Sequence, residues 1–583
     1  MGDAILIGGD FGTGGAKVCF MESSGRVLHE GYEEYPLYNE RPGFSEHDAE
    51  RYWEAFARLV RQGVTVLGAR AADVCAIALS SALPSLVLID ARGEPVARAV
   101  NLMDRRALAQ VDRILALLGQ ERICALTGNR IEDHPALVNV LWFKDHRPEI
   151  YARARWALTA DGFVAHRLTG RATLNRSCAT FFGVAYDIHR LCFEEDVLEL
   201  VGLRSDLLPE LVECSEQIGR LTPGAAAALG LDEQVVVVGG QVDCNAAWLA
   251  GGAVAPGAFQ INLGTCGVIG VVHDQPQFLH TDAGRLVVNI PYTTDVRRHY
   301  SAVAVTMTGG QVLRYLRDEI GALERLTAHT LACSPYDLLT LQAQRVPAGS
   351  DGLIALPYFM GERTPLWDSS ARAAYVGLSL HHGRGHLIRA MLEGVAYALR
   401  WSLETLRSGG IPIKEPLVFN EGGARSSLWR RIVTDVLEVR TALLTRGGGA
   451  ALGDAILAGV GAGVLPGLDV AARLCELGEP LEPDPAVAGV YRRGFEAFRE
   501  TYAALSGPLR AAGHSAQAAA SAPGAGLLPS GTVACLPAGA PAADLSPGAP
   551  DADPRSGAPA ADRSGAPAAD RSGAPAAVRV SPA

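Results

Sequence analysis

Two short stretches of this chain have the residue types needed to hold a polyphosphate. They are Asp10-Phe11-Gly12-Thr13-Gly14-Gly15 and Asn262-Leu263-Gly264-Thr265-Cys266-Gly267. A phosphate group is held by backbone N–H donors that approach closely. Glycine permits both the approach and the backbone angles it needs, and threonine adds a hydroxyl. Each stretch follows an apolar segment and returns to apolar residues, so each reads as a turn between two strands. Asp10 falls where the first strand ends. A carboxylate there either holds Mg²⁺, directly or through water, or bonds to its own backbone in the turn. Lys17 is either a phosphate contact or a solvated strand charge. A third segment, Val235 to Asp243, is an apolar run followed by Gly239-Gly240-Gln241-Val242-Asp243. Asp243 at that position is either a helix N-cap or a general base that accepts a hydroxyl proton during phosphoryl transfer.

The elements that position these residues alternate between strand and helix. Ile5–Gly9 and Ala16–Met21 are predicted strands around the first turn, and Ala76–Ser80 and Leu86–Asp90 are two more. Val235–Val238 is suited to a strand buried on both faces. Ala49–Gln62 and His386–Leu406 have helical periodicity, Asn245–Ala250 is a predicted helix, and the last ordered helix puts Tyr491, Phe495, Phe498 and Tyr502 on one face. The first turn is not a dinucleotide fingerprint, because Ala16–Met21 reads as the return strand of a hairpin and not as a helix. It is not a P-loop either, since no Gly-Lys-Ser/Thr closes it. The two Gly-Thr turns lie about half the folded length apart, which points to two related domains facing a shared cleft.

The 583 residues exceed one ordinary core and imply two to four domains. With 48% hydrophobic and 20% charged residues the body is globular. A net charge of −11 excludes a basic nucleic-acid footprint over the whole chain and disfavours anionic membranes. Eleven cysteines, from Cys19 to Cys535 and without a CxxC pair, read as reduced thiols of a cytoplasmic protein. No signal peptide or membrane-length apolar run is present, and no His/Cys/Asp/Glu spacing suggests zinc. From about Gly513 the chain turns to Ala, Pro, Gly and Ser, and an Arg-Ser-Gly-Ala-Pro-Ala-Ala unit begins at Arg555, Arg563 and Arg571. Residues 513–583 are expected to be a disordered tail, lacking apolar side chains to offset the ordering cost.

Taken in order, these segments resemble the FGGY carbohydrate kinases, nearest the xylulokinase-like members. Asp10–Thr13 is similar to the family's first phosphate motif, Gly239–Asp243 to its catalytic-base motif and Leu263–Cys266 to its second phosphate motif. Leu356-Pro357-Tyr358 with Gly361-Glu362-Arg363-Thr364-Pro365, and then Arg389–Tyr397, resemble consecutive segments of the xylulokinase and gluconokinase branches. Glu421–Ser426 and Ala451-Leu452-Gly453 resemble the adenosine-side motifs. The match runs from about residue 4 to residue 505. It implies an α/β fold of two ribonuclease-H-like, actin-type ATPase domains around a cleft, a sugar-binding one over 1–252 and a nucleotide-binding one over 253–506. It implies an ATP-dependent kinase that uses Mg²⁺, with Asp243 as catalytic base and Asp10 as metal site. Gly12, Thr13, Gly14, Lys17, Gly264, Thr265, Gly310, Gly422, Gly423 and Ser427 would bind phosphate or nucleotide, and Leu83, Pro84, Asp104 and Asp243 would bind the sugar. The implied acceptor is a ketopentose such as xylulose, with ribulose, gluconate or another polyol as alternatives. The implied partners are that sugar and ATP, with neither nucleic acid nor membrane, and a homodimer is compatible with the sequence.

This chain departs from the family pattern in several places. Ser81-Ala82-Leu83-Pro84 stands where xylulokinases carry a Met-His pair. Leu102 replaces a tryptophan before Met103-Asp104-Arg105-Arg106, Asn139 replaces a lysine three residues before Trp142, Cys266 replaces a serine, and Glu421 a glycine. The altered sugar side keeps a second reading open, a catalytically weak sugar- or ATP-binding regulator. An actin- or chaperone-like ATPase, the third reading, would lack the segments from Pro357 to Tyr397.

Overall fold

The computed structural model describes residues 4–520 except Glu421. Its first sheet starts with three consecutive strands, β1 (Ile5–Phe11), β2 (Gly15–Glu22) and β3 (Val27–Glu34), paired antiparallel as a meander. After helix α1 (Glu50–Leu67), strand β4 (Val74–Ser81) pairs parallel with the other side of β1. Strands β5 (Gln217–Arg220), β6 (Val236–Val238) and β7 (Gln241–Val242) complete it; β6 and β7 both pair parallel with β4. Asp243 opens helix α2 (Asp243–Ala250) directly after β7.

The second sheet repeats this plan. Strands β8 (Phe259–Leu263) and β9 (Gly267–His273) form a hairpin. Strand β10 (Val288–Pro291) occupies the edge beside β11 (Tyr300–Thr306), which pairs antiparallel with β9. Helices α3 (Gln311–Tyr315) and α4 (Arg384–Ser408) follow. Strand β12 (Leu417–Asn420) then pairs parallel with β8, and after α5 (Ser427–Leu437) strand β13 (Thr441–Arg446) pairs parallel with β12, with β14 (Glu476–Leu477) at the edge. The run β3-β2-β1-β4-β6 therefore matches β11-β9-β8-β12-β13. Each half has an antiparallel hairpin whose first strand continues into parallel pairing, and each hairpin turn is one of the two Gly-Thr turns. This is the pair of ribonuclease-H-like units that the resemblance implies. The halves are not separate bodies, since residues through Ala519 pack as one unit.

Strand alternation divides the first core. Ile5, Ile7, Val18, Phe20, Ile77 and Leu79 face Phe56, Leu59 and Val60 of α1. Leu6, Cys19, Met21, Ala76 and Ala78 face the opposite way, toward helix α6 (Ala450–Gly461). Burial on both faces explains why these strands read as apolar runs. Helix α6 follows strand β13 of the second sheet yet lies on the first. Nearly all its residues are buried, as its Ala- and Gly-rich sequence demands. It comes so close that a Cβ on Gly8 would stand 1.8 Å from the Ala451 carbonyl oxygen, and one on Gly453 would stand 2.0 Å from that of Ala246 in α2.

The last helix, α7 (Pro485–Ala520), buries Tyr491, Phe495, Phe498 and Tyr502 against α4, as its periodicity predicts. It continues to Ala520, past the expected start of the tail at Gly513. The many alanines from Ala511 favour the extension despite Gly513, and the rest of that tail lies outside the described residues. No disulfide joins the described cysteines. Among the described residues no helix is long and apolar enough to cross a membrane.

The crossing sets a test. In an open helix, Gly→Ala stabilises by about 1 kcal/mol. At Gly453 the new methyl meets fixed backbone, so we expect Gly453→Ala to destabilise by about 1–3 kcal/mol, read as a lower denaturant midpoint. A raised midpoint would contradict the close crossing.

Candidate active site

The end of β1 and the start of α2 lie side by side because β1 and β7 both pair with β4. Opposite them stands the β8–β9 turn of the second half. Asp10, Gly12, Lys17, Asp243, Gly264, Thr265 and Gly422 line one cavity of about 680 Å³. A second cavity of about 590 Å³ shares Gly264, Thr265 and Gly422 with it and adds Gly310, Gly423, Arg425 and Ser426. The two cavities adjoin through these shared wall residues, and each is of the size of a small-molecule site.

Asp10 is almost fully buried. Its Oδ2 lies 3.9 Å from Lys17 Nζ, which reaches in from the facing strand with its side chain 57% exposed. That exposure makes the pair a weak ion pair, open to exchange with an incoming phosphate. Asp243 Oδ1 accepts the Cys244 N–H at 2.6 Å, at the N-terminus of α2. Helix α6 also starts at this cavity, where Gly449 and Ala450 form part of the wall, after three glycines at positive φ. Two helix N-termini thus aim partial positive charge at one space, which suits an anionic ligand.

The second turn is braced from behind. Gly309 N–H donates to the Thr265 carbonyl at 2.9 Å and Gly310 N–H to that of Gly264 at 2.5 Å. Glu362 anchors the other end of that segment. Its carboxylate accepts Thr306 Oγ1 at 2.5 Å, Met307 N–H at 3.0 Å and Arg363 N–H at 2.7 Å. Burial outweighs these three donors and pushes the Glu362 carboxyl up to about 7.

Several expected residues stand apart from the cavity. Thr13 and Gly14 form the tip of the first turn, outside the cavity wall. Ser427 is exposed on α5; Ser426, which caps that helix by accepting the Trp429 N–H, lines the second cavity instead. Asp104 is turned inward. Its carboxylate takes the Ser45 N–H at 2.7 Å and a bidentate pair from Arg106 whose side chain is 2% exposed, and it lines neither of the two cavities. Leu83 is half-buried against the core and Pro84 buried, just past β4, where Ala82 N–H bonds the Phe11 carbonyl. Ala451-Leu452-Gly453, read from sequence as an adenosine-side segment, serves the helix crossing; the cavity is met by Gly449 and Ala450. Glu421 lies outside the described residues. Trp142 is half-buried, packing edge-on to Phe44 at 5.6 Å with the Arg106 guanidinium over its ring. His134 is buried and its pKa pushed down to about 3, which leaves a neutral ring.

Other residues of the site escaped the sequence reading. Asn262 lines the cavity at the position of the second half equivalent to Asp10, and Trp248 Nε1–H donates to it at 3.2 Å. The echo between the two turns was the available signal for Asn262. Asn420, at the end of β12, gives no such signal, since only the parallel pairing of β12 with β8 brings it to the cavity.

Residues 5–250 match the N-terminal domain of the FGGY family of carbohydrate kinases, and residues 259–462 its C-terminal domain. The xylulose kinase of Bacillus subtilis is 28% identical over 467 residues, covering 80% of this chain and 90% of that protein. The gluconokinase of the same organism is 30% identical over 439 residues, covering 75% and 83%. Among solved structures, the xylulose kinase from Rhodospirillum rubrum superposes with a TM-score of 0.77 at 28% identity, over 87% of this chain and 99% of that one.

Glu362 gives a measurable pH dependence. Unfolded, its carboxyl releases the proton near 4.5; folded, it keeps it up to about 7. Its contribution to stability is complete below the lower value and is lost as pH rises through the upper one. We expect Glu362→Gln to flatten the fall in melting temperature between about pH 5 and about pH 7.5. Parallel curves for mutant and wild type would contradict this assignment.

Proposed function

Since the chain belongs to the FGGY family of carbohydrate kinases and is an ATP-dependent sugar phosphotransferase, we propose that it phosphorylates a ketopentose of the xylulose type, with Asp243 as general base. The observation that carries this reading is the convergence of Asp10, Asp243 and the Gly264-Thr265 turn on one cavity that shares wall residues with the second. In this reading residues 1–252 hold the sugar and residues 253–506 the nucleotide. The adenosine lies in the cavity lined by Gly310, Gly423 and Ser426. The phosphates extend over Gly264-Thr265 toward Gly12 and the N-termini of α2 and α6.

A sugar hydroxyl is far too weak an acid to ionise beforehand. Asp243 therefore takes its proton late, as the phosphoryl group is captured, and most of the rate comes from alignment and charge neutralisation. The backbone N–H groups of the two turns, the helix N-termini and Lys17 supply positive potential. Mg²⁺ fits Asp10. This ion keeps several waters and phosphate oxygens and needs only one or two hard carboxylate ligands, which agrees with the lack of any three-residue His/Cys/Asp/Glu cluster among the described residues. When bound it would neutralise charge on the transferring phosphates. A cytoplasmic location fits the lack of disulfides among the described cysteines.

Gluconate is the second acceptor to test, because the gluconokinase relative is as similar as the xylulose kinase one. A coupled assay for ADP release over pentuloses, hexuloses, aldonates and polyols decides between them, and ADP release without any acceptor would contradict the kinase reading. We expect Asp243→Ala to lower kcat by 10²-fold or more, on the order of the contribution of a positioned base, with nucleotide affinity retained. Near-normal turnover in that variant would overturn the base assignment.

A further inference from the structure

Three residues of adjacent strands stand in one row across the first sheet. Asp10 of β1 is paired with Ser80 of β4, and Ser80 with Gln241 of β7. All three are buried, and all lie under helix α6. Above the row, one turn into that helix, is Asp454, 0% exposed. Ser80 Oγ lies 2.6 Å from Asp454 Oδ2 and 3.4 Å from Asp10 Oδ1, so a single hydroxyl bridges two carboxyl groups. The other oxygen of Asp454, Oδ1, accepts Gln241 Nε2–H at 3.1 Å, and Gln241 Oε1 accepts Thr293 Oγ1–H at 2.6 Å. Nothing in the reaction described above uses Asp454, and neither its cost in so apolar a helix nor its placement is explained by packing.

We propose that Asp454 is a positioning residue, which through Ser80 and Gln241 holds Asp10 and the strand end bearing Asp243 in register with the nucleotide-side helix.

The chemistry of the row supports a neutral acid in this role. Burial raises the pKa of Asp454 well above the ordinary carboxylate range, and the neighbouring Asp10 and Asp161 carboxyls push it the same way. As a neutral acid it donates to Ser80 Oγ, which leaves the serine proton for Asp10. Its carbonyl oxygen still accepts from Gln241. One group then orients the carboxylate at the phosphate side and, two residues before Asp243, the strand that delivers the base. Because α6 begins at the cavity with Gly449 and Ala450, the same helix that meets the phosphates fixes both acids.

The inference rests on the roles given above to Asp10 and Asp243, and the test separates the two. Asp454→Asn keeps one donor and one acceptor and has no charge, so it reproduces the neutral acid. Asp454→Leu keeps the branched shape, at a larger volume, and removes both bonds. We expect Asp454→Leu to lower kcat on the order of 10- to 100-fold, the cost of slight misplacement of reacting groups. Its KM for ATP and its affinity for a fluorescent ATP analogue should stay within about twofold, and Asp454→Asn should restore kcat to within about threefold of wild type. Wild-type kcat in the leucine variant, or equal loss in both variants, would overturn the proposal. So would a loss that appears only in ATP affinity. Should the leucine variant fail to fold, Ser80→Ala carries the test. Alone it should lower kcat with nucleotide affinity retained, and adding Asp454→Asn to it should cost less than the sum of the two single effects. Strict additivity would overturn the proposal. Asp243→Ala and Asp10→Asn run alongside as controls. Turnover in either would fault the reading of the site itself, whereas loss there with full activity in the position-454 variants would fault only the present inference.

Discussion

Backbone lies directly against backbone where helix α6 crosses β1 and α2. Gly8 and Gly453 leave no room for a single methyl, and the Ala451 and Ala246 carbonyls occupy the space it would need. The rest of the cleft follows from this approach. With the helix axis pressed onto the sheet, Gly449 and Ala450 at its N-terminus line the same cavity as Asp10, Gly12, Gly264 and Thr265. A helix held a side chain further away would put its positive end and its buried carboxyl out of reach of Asp10.

The site is also organised by carboxyl groups that do not face the ligand. Glu362 ties the end of β11, just before Gly309-Gly310, to the segment at Arg363, and Asp454 spans the row from Asp10 to Gln241. Asp161 accepts Ser81 Oγ–H at 2.5 Å and Asn175 Nδ2–H at 3.3 Å next to that row. Each is buried, each is satisfied by short bonds, and burial raises the pKa of each. A buried acid is costly unless its hydrogen bonds are made, and where they are made it fixes its neighbours tightly. Strand ends and turns, which would otherwise be the loosest parts of the sheets, are pinned this way.

The segment just past β4 is less polar than the resemblance leads one to expect. Leu83 and Pro84 stand where xylulokinases carry a Met-His pair, and Asp104 is committed to Ser45 and Arg106. The aromatic neighbours Phe44 and Trp142 pack around the same arginine, so that corner is a closed structural knot.

Local pattern was enough to determine much of this protein. The Gly-Thr turns, the apolar run before Asp243, the strands around the first hairpin and the aromatic face of the last helix follow from spacing and side-chain type, because their causes act within a few residues. The repetition of one turn at half the folded length also revealed the doubled architecture, since each copy needs the same hairpin around it. Other features arise only from contacts far apart in the chain. Asp454 reads as an ordinary helix residue until the crossing sets it over Ser80, 374 residues away in sequence. Asn420 enters the cavity only because β12 pairs with β8, and Asp104 turns inward because Arg106 and Ser45 take its oxygens. Sequence spacing names the groups able to do the chemistry; which of them meet, and which are spent on holding the others, is settled by packing between segments that no local pattern connects.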